Sequence, residues 1–240
     1  MHTNHRFDSV QRSESFFVGM LLSLTGGFLD AYTYITRGGV FANAQTGNMV
    51  LFGLRLSEHR WSDSLSYCIP ILAFAAGVLL AEWIRSRFRQ SRRLHWRQLV
   101  LGIECALLLI IGFVPSGRCN ASVNIAISFV CALQVQSFRT VHGLSYATTM
   151  CTGNLRSGTE LLFRSLQTKE KALFHSALKY YAIIVFFICG AVGGFLAAGA
   201  LGVHAVWIAF VVLLFVFLLL WQRPIDFDPS IQHKESEART

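Results

Sequence analysis

Two Thr-Gly-Asn triplets, Thr46-Gly47-Asn48 and Thr152-Gly153-Asn154, are the residues whose types and spacing best suggest a binding chemistry. Glycine reaches backbone angles closed to other residues, and threonine and asparagine offer short polar groups that can cap a new helix. Each triplet therefore predicts a broken or re-entrant helix with an exposed N-terminus, whose partial positive charge can hold an anion or a polar ligand. A plain helix cap or a tight packing point would use the same residues. Asp30 is the second candidate: it lies inside an apolar run, and an acid at the centre of a membrane helix costs about 2.5 to 3.5 kcal/mol on insertion scales. Something must offset that cost.

Aligning the triplets sets an offset of 106 residues, which brings Asp30 opposite Gln136 and Tyr34 opposite Thr140. Arg139, three residues beyond Gln136, is a candidate counter-charge for Asp30; a structural polar contact or a protonated acid would serve as well. The predicted binding set is Asp30, Tyr34, Thr46, Asn48, Gln136, Arg139, Thr152 and Asn154. Glu104 is a further ionisable residue in an apolar run. Glu82 is expected to pair with Arg85 or reach the interface, and His142 reads as an interfacial residue or a proton switch.

Enzymatic chemistry has less to recommend it. The six cysteines form no CxxC pair and the eight histidines form no HxxxH unit, so no metal, cofactor or catalytic residue is predicted. The formal charge of +8 could point to nucleic acid, but the basic residues stand between apolar runs and have no aromatic partners to stack on bases. Nucleic acid is therefore not an expected partner.

The elements that position these residues follow from composition. Of the 240 residues, 53% are hydrophobic and 14% charged, which in water would leave long apolar runs exposed. A crossing helix needs about twenty apolar residues. Six stretches qualify, near 16–36, 67–84, 99–115, 119–138, 180–203 and 204–222. The predicted organisation is an N-terminal arm (1–15), one integral membrane domain (16–222) and a polar tail (223–240).

Lys and Arg are retained on the cytoplasmic side. With both termini inside, seventeen basic residues are cytoplasmic and four outside, and the six arginines of 85–97 carry the strongest signal. Each triplet follows one apolar run and precedes two more, so the halves 16–115 and 119–222 form a repeat. Three crossings is an odd number, which makes that repeat inverted. The expected fold is all-α: six transmembrane helices in two inverted three-helix repeats, each with a short re-entrant or broken helix at its Thr-Gly-Asn.

Small residues mark close packing. Gly190 and Gly194 form a GxxxG with Gly193 and Gly199 nearby, and Ala73, Ala75, Ala76 and Gly77 make a similar stretch in the other half. Such faces could pack within the chain or form a homo-oligomer. Membrane lipids are the other expected partner.

The segments GGFLDAYTYI (26–35) and FANAQTGNMVLFG (41–53) resemble the opening signature of the YoaK family, and CTGNLRSG (151–158) resembles its later one. That is a widespread group of bacterial inner-membrane proteins classed under a domain of unknown function. The resemblance covers nearly the whole chain and implies a multi-pass protein of the bacterial cytoplasmic membrane. The residues themselves point first to a small-molecule transporter or channel-like permease for a small polar or charged solute. The competing readings are a membrane enzyme acting on lipids or isoprenoids, and a membrane scaffold or sensor that transports nothing.

Overall fold

The computed structural model describes residues 15–88, 95–141 and 144–221. The expected cytoplasmic arm and tail, part of the arginine run (89–94) and His142 lie outside the described residues. What is described is helical apart from a hairpin of two two-residue strands. In chain order the elements are α1 (Phe16–Thr36), α2 (Gln45–Ser57), α3 (Trp61–Phe88), α4 (Trp96–Ile111), α5 (Asn120–Ser137), β1 (Thr140–Val141), β2 (Leu144–Ser145), α6 (Cys151–Thr168), α7 (Lys171–Leu201) and α8 (Val206–Trp221). All six apolar runs fall on helices.

Among the described residues, three stretches are long and apolar enough to cross a membrane: Phe16–Thr36, Trp61–Phe88 and Lys171–Trp221. The last is broken at Gly202, whose φ of 56° and ψ of −131° suit glycine, and a single 3-10 turn over Gly202–Ala205 leads into α8. α4 has 16 residues and so is about 24 Å long. It begins earlier than its apolar run because His95 caps it: Nδ1 accepts from Arg97 N at 3.2 Å while Gln98 Oε1 accepts from His95 N at 3.0 Å.

Packing pairs helices across the two halves. α1 lies along α7 and α3 along α5, while α2 packs on α3 and α6 on α7. α4 and α8 pack on each other; α4 also touches α5, and α8 touches α1. The α1–α7 contact is made backbone to backbone. A Cβ on Gly190 would strike the Leu24 carbonyl, one on Gly194 the Phe28 carbonyl, and one on Gly27 the Phe187 carbonyl. The GxxxG face is thus occupied within the chain, while Gly193 and Gly199 have open space beside them. In α3, a Cβ on Gly77 would stand 2.7 Å from the Phe129 carbonyl of α5.

The largest core cluster joins α1, α4, α5 and α8 through residues such as Leu22, Leu101, Leu108, Ile127 and Leu213. The outward faces of α3, α7 and α8 carry exposed Leu72, Leu79, Val192, Leu196 and Val211, an apolar surface that suits lipid. Trp61, Trp83 and Trp221 are exposed at helix ends, as interfacial anchors are, but Trp96 is buried and Trp207 packs over Gly112.

Candidate functional site

Both triplets lie inside a first helical turn. α2 begins at Gln45 and α6 at Cys151, the N-cap residues are Ala44 and Met150, and neither cap makes a side-chain hydrogen bond. The expected capping by threonine and asparagine is therefore corrected: Thr46 and Thr152 are exposed, while Asn48 and Asn154 are buried and reach back toward the preceding chain. Asn48 Nδ2 donates to Gln45 Oε1 at 3.2 Å. Asn154 holds Ala147 by both ends of its amide, accepting from Ala147 N at 3.1 Å and donating to Ala147 O at 2.6 Å.

The chain ahead of each helix is non-helical and buried at Ala42, Asn43, Tyr146 and Thr148, so the amides and carbonyls there need partners that lipid cannot supply. In the first half α1 and α5 supply them. Asp30 Oδ1 accepts from Asn43 N at 3.1 Å, and Thr33 Oγ1 accepts from Ala42 N at 3.3 Å. Ser128 Oγ of α5 donates to Ala42 O at 2.6 Å, and Asn43 Nδ2 donates to Gly26 O at 3.2 Å. In the second half Tyr146 N donates to Arg139 O at 3.0 Å, and Thr149 Oγ1 lies 3.3 Å from Cys131 Sγ.

The two unwound segments meet at Gly26. Its carbonyl takes the Asn43 amide, and on its Cα side a Cβ would stand 2.6 Å from Thr149 Cγ2 and 3.2 Å from Thr148 O. Asp30, one turn further along α1, is 9% exposed and lies within electrostatic reach of Cys131 and Cys151. Asn43 Oδ1 and Thr148 Oγ1 are buried there with no hydrogen-bond partner among the described residues. The junction thus combines a carboxylate, small polar groups and unused hydrogen-bonding capacity.

Of the eight predicted binding residues, Asp30 reaches the junction itself. Asn48 and Asn154 shape the segments that form it. The candidate Asp30–Arg139 pair does not form: Arg139 is exposed, and the Asp30 carboxylate is held by a backbone amide instead. Gln136 donates to Glu82 Oε1, and Glu82 also pairs with Arg85 at 3.3 Å, as expected. Tyr34 is exposed and stacks on Phe41 with ring centroids 4.8 Å apart.

Sequence reasoning missed Gly26, Asn43, Ser128, Thr148 and Thr149. A signal existed for two of them: Asn43 and Thr149 stand five residues before Asn48 and Asn154, at the same 106-residue offset. Arg37, which in the sequence is one of the four basic residues counted outside, is 1% exposed. Its guanidinium donates to Tyr32 OH at 2.7 and 3.0 Å, to Val114 O at 2.9 Å and to Pro115 O at 3.1 Å. Tyr32 OH in turn donates to Val203 O at 3.0 Å. That network ties the end of α1 to the end of α4 and to the α7–α8 turn.

The stretch holding both breaks is also the part of the chain that a family model matches. Residues 18–219 fit the family described as "Protein of unknown function (DUF1275)". The chain belongs to the DUF1275 family. This DUF1275 protein is also similar to the UPF0700 transmembrane protein YoaK of Bacillus subtilis (strain 168): 26% identity over 175 residues, covering 69% of this chain and 76% of that protein. No solved structure matches it. Family membership and the apolar helices together make the DUF1275 protein described here a membrane protein.

Proposed function

We propose that this protein is a carrier or channel-like permease for a small polar or charged solute in a bacterial cytoplasmic membrane. In this reading α1, α3, α4, α5, α7 and α8 cross the bilayer, α2 and α6 do not, and both termini are cytoplasmic. The observation that carries the proposal is the meeting of two unwound, polar segments, one from each half, on Gly26 beside the buried Asp30. Non-helical backbone at membrane depth is tolerated where protein buries it or where it lines a path for solute.

An inverted repeat is supported by how contacts exchange under the 106-residue offset. The pair α1–α7 exchanges with α5–α3, and α2–α3 with α6–α7. At residue level, Ser23 Oγ donates to Ile183 O at 2.9 Å, and the offset carries 23 to 129 and 77 to 183, the Phe129–Gly77 contact of the other pair. The turns after α2 and α6 also match in kind, since His59 (φ 56°) and Lys169 (φ 58°) are both left-handed non-glycine residues. Two such halves meeting at a polar centre can rock to alternate access.

Asp30, Asn43, Thr148 and Thr149 are the contacts proposed for the solute, with Asn48 and Asn154 holding the segments. The test is flux through the purified chain in proteoliposomes against a broad panel of polar metabolites, compared with Asp30→Ala and Asn154→Ala. Movement of at least one solute that both substitutions abolish is the expected result. A panel that leaks no faster than empty vesicles, or variants indistinguishable from the parent, would overturn it.

A further inference from the structure

Glu104 is a buried acid that the proposed solute site does not use. It lies in the middle of α4, is 0% exposed, and neither Oε1 nor Oε2 has a hydrogen-bond partner among the described residues. Leu101 and Leu108, on the same face of the helix one turn either side, are also fully buried. α4 packs on α8, α5 and α3. α8 contains no acid or base that could serve as counter-charge. The thiols of Cys105 and of Cys131 on α5 are the titratable groups within electrostatic reach. On α3, Glu82 and Arg85 are engaged with each other.

A carboxylate with neither donor nor counter-charge costs several kcal/mol, whereas a neutral acid bears the smaller penalty of an unpaired polar group. Metal cations require several oxygen ligands, and no polar partner stands within hydrogen-bonding distance of either Glu104 oxygen among the described residues. A proton needs one oxygen. We propose that Glu104 is a proton-carrying site, closed off in this conformation and opened to water as the two halves move. The proton is taken from water on one side and returned to water on the other, and water stabilises the carboxylate in between. The inference rests on the carrier reading for its purpose, but not for its chemistry.

Dicyclohexylcarbodiimide, a membrane-soluble reagent, adds to protonated carboxyl groups and leaves a stable N-acylurea. The full chain in lipid nanodiscs is treated with it and the adduct mapped by peptide mass spectrometry. An adduct on residue 104 is expected in the parent, retained in Asp30→Asn and in Glu104→Asp, absent in Glu104→Gln, and forming more slowly near pH 9 than near pH 6. Exchanging choline for sodium is expected to leave the rate unchanged. No adduct at Glu104 at any pH, a rate independent of pH, or slowing by sodium at constant pH would each overturn the proposal. The two proposals can fail separately. Labelling that follows pH in a chain that moves no solute retains the proton site and removes the carrier. Solute flux that stays coupled to a pH gradient in Glu104→Gln removes the proton site and retains the carrier.

Discussion

Asn154 and Ala147 form a closed pair, in which one side-chain amide satisfies both backbone groups of a residue outside any helix. Asn48, at the matching position, bonds to a side chain instead. Removing the Asn154 amide leaves a donor and an acceptor unpaired, and each orphaned group costs about 1–3 kcal/mol. Asn154→Ala is therefore expected to lower the unfolding midpoint in detergent well below that of Asn48→Ala. Equal losses would mean that the pairing does not hold the second segment.

The α1–α7 seam makes a sharper distinction between neighbouring glycines. Gly190→Ala drives a methyl group into the Leu24 carbonyl, and such overpacking costs about 1–3 kcal/mol. Gly193→Ala meets nothing within 4 Å and replaces a poor helix former by the best, a gain of up to about 1 kcal/mol. Thermal unfolding of the two variants should move in opposite directions.

Arg37 is a buried cation held by a hydroxyl and carbonyl oxygens. Arg37→Leu leaves those acceptors without their donor, and the yield of monodisperse protein on gel filtration is expected to collapse. Arg37→Lys keeps the charge but not the planar fork, so it should restore only part of that yield. Full recovery by lysine would show that charge alone matters there.

His95 stands ahead of the apolar part of α4, and burial, with Arg97 adding to it, pushes its pKa from 6.5 down to about 4. Between those values the unfolded chain binds more protons than the folded one, so the contribution of His95 is complete above pH 6.5 and disappears as pH falls toward about 4. A protonated ring also loses the Nδ1 lone pair that accepts from Arg97 N. Stability measured across this interval should fall on acidification in the parent and stay flatter in His95→Asn, which keeps an N-cap acceptor that does not titrate.

The proposed inverted arrangement predicts sidedness. Reporter fusions in 85–97 and in 160–175 are both expected to report the cytoplasm, because six crossings with an internal N-terminus return the chain there before and after the middle pair. Reporters on opposite sides would remove the antiparallel relation on which the carrier reading depends.

Each of the six apolar runs was legible because a long uncharged stretch has few stable forms other than a helix, whether in a bilayer or a core. The duplicated triplets and the acid at 30 were legible as oddities in those runs. The role of each was not. Asp30 and Arg139 looked like partners because Arg139 stands three residues beyond the position aligned with Asp30, but an alignment fixes sequence spacing and says nothing of which face a side chain takes. Asn43, Ser128 and Thr149 are ordinary small polar residues whose importance comes from the backbone they satisfy, which pattern reading cannot see.

The sequence by itself determined a helical membrane protein and flagged where helices would break. Only the tertiary structure decided that both breaks converge on Gly26, that Arg37 is internal, and that Glu104 has no hydrogen-bond partner among the described residues. The reason is physical: hydrophobic periodicity is local and survives in a linear string, whereas satisfying a buried polar group depends on which distant helix lies beside it.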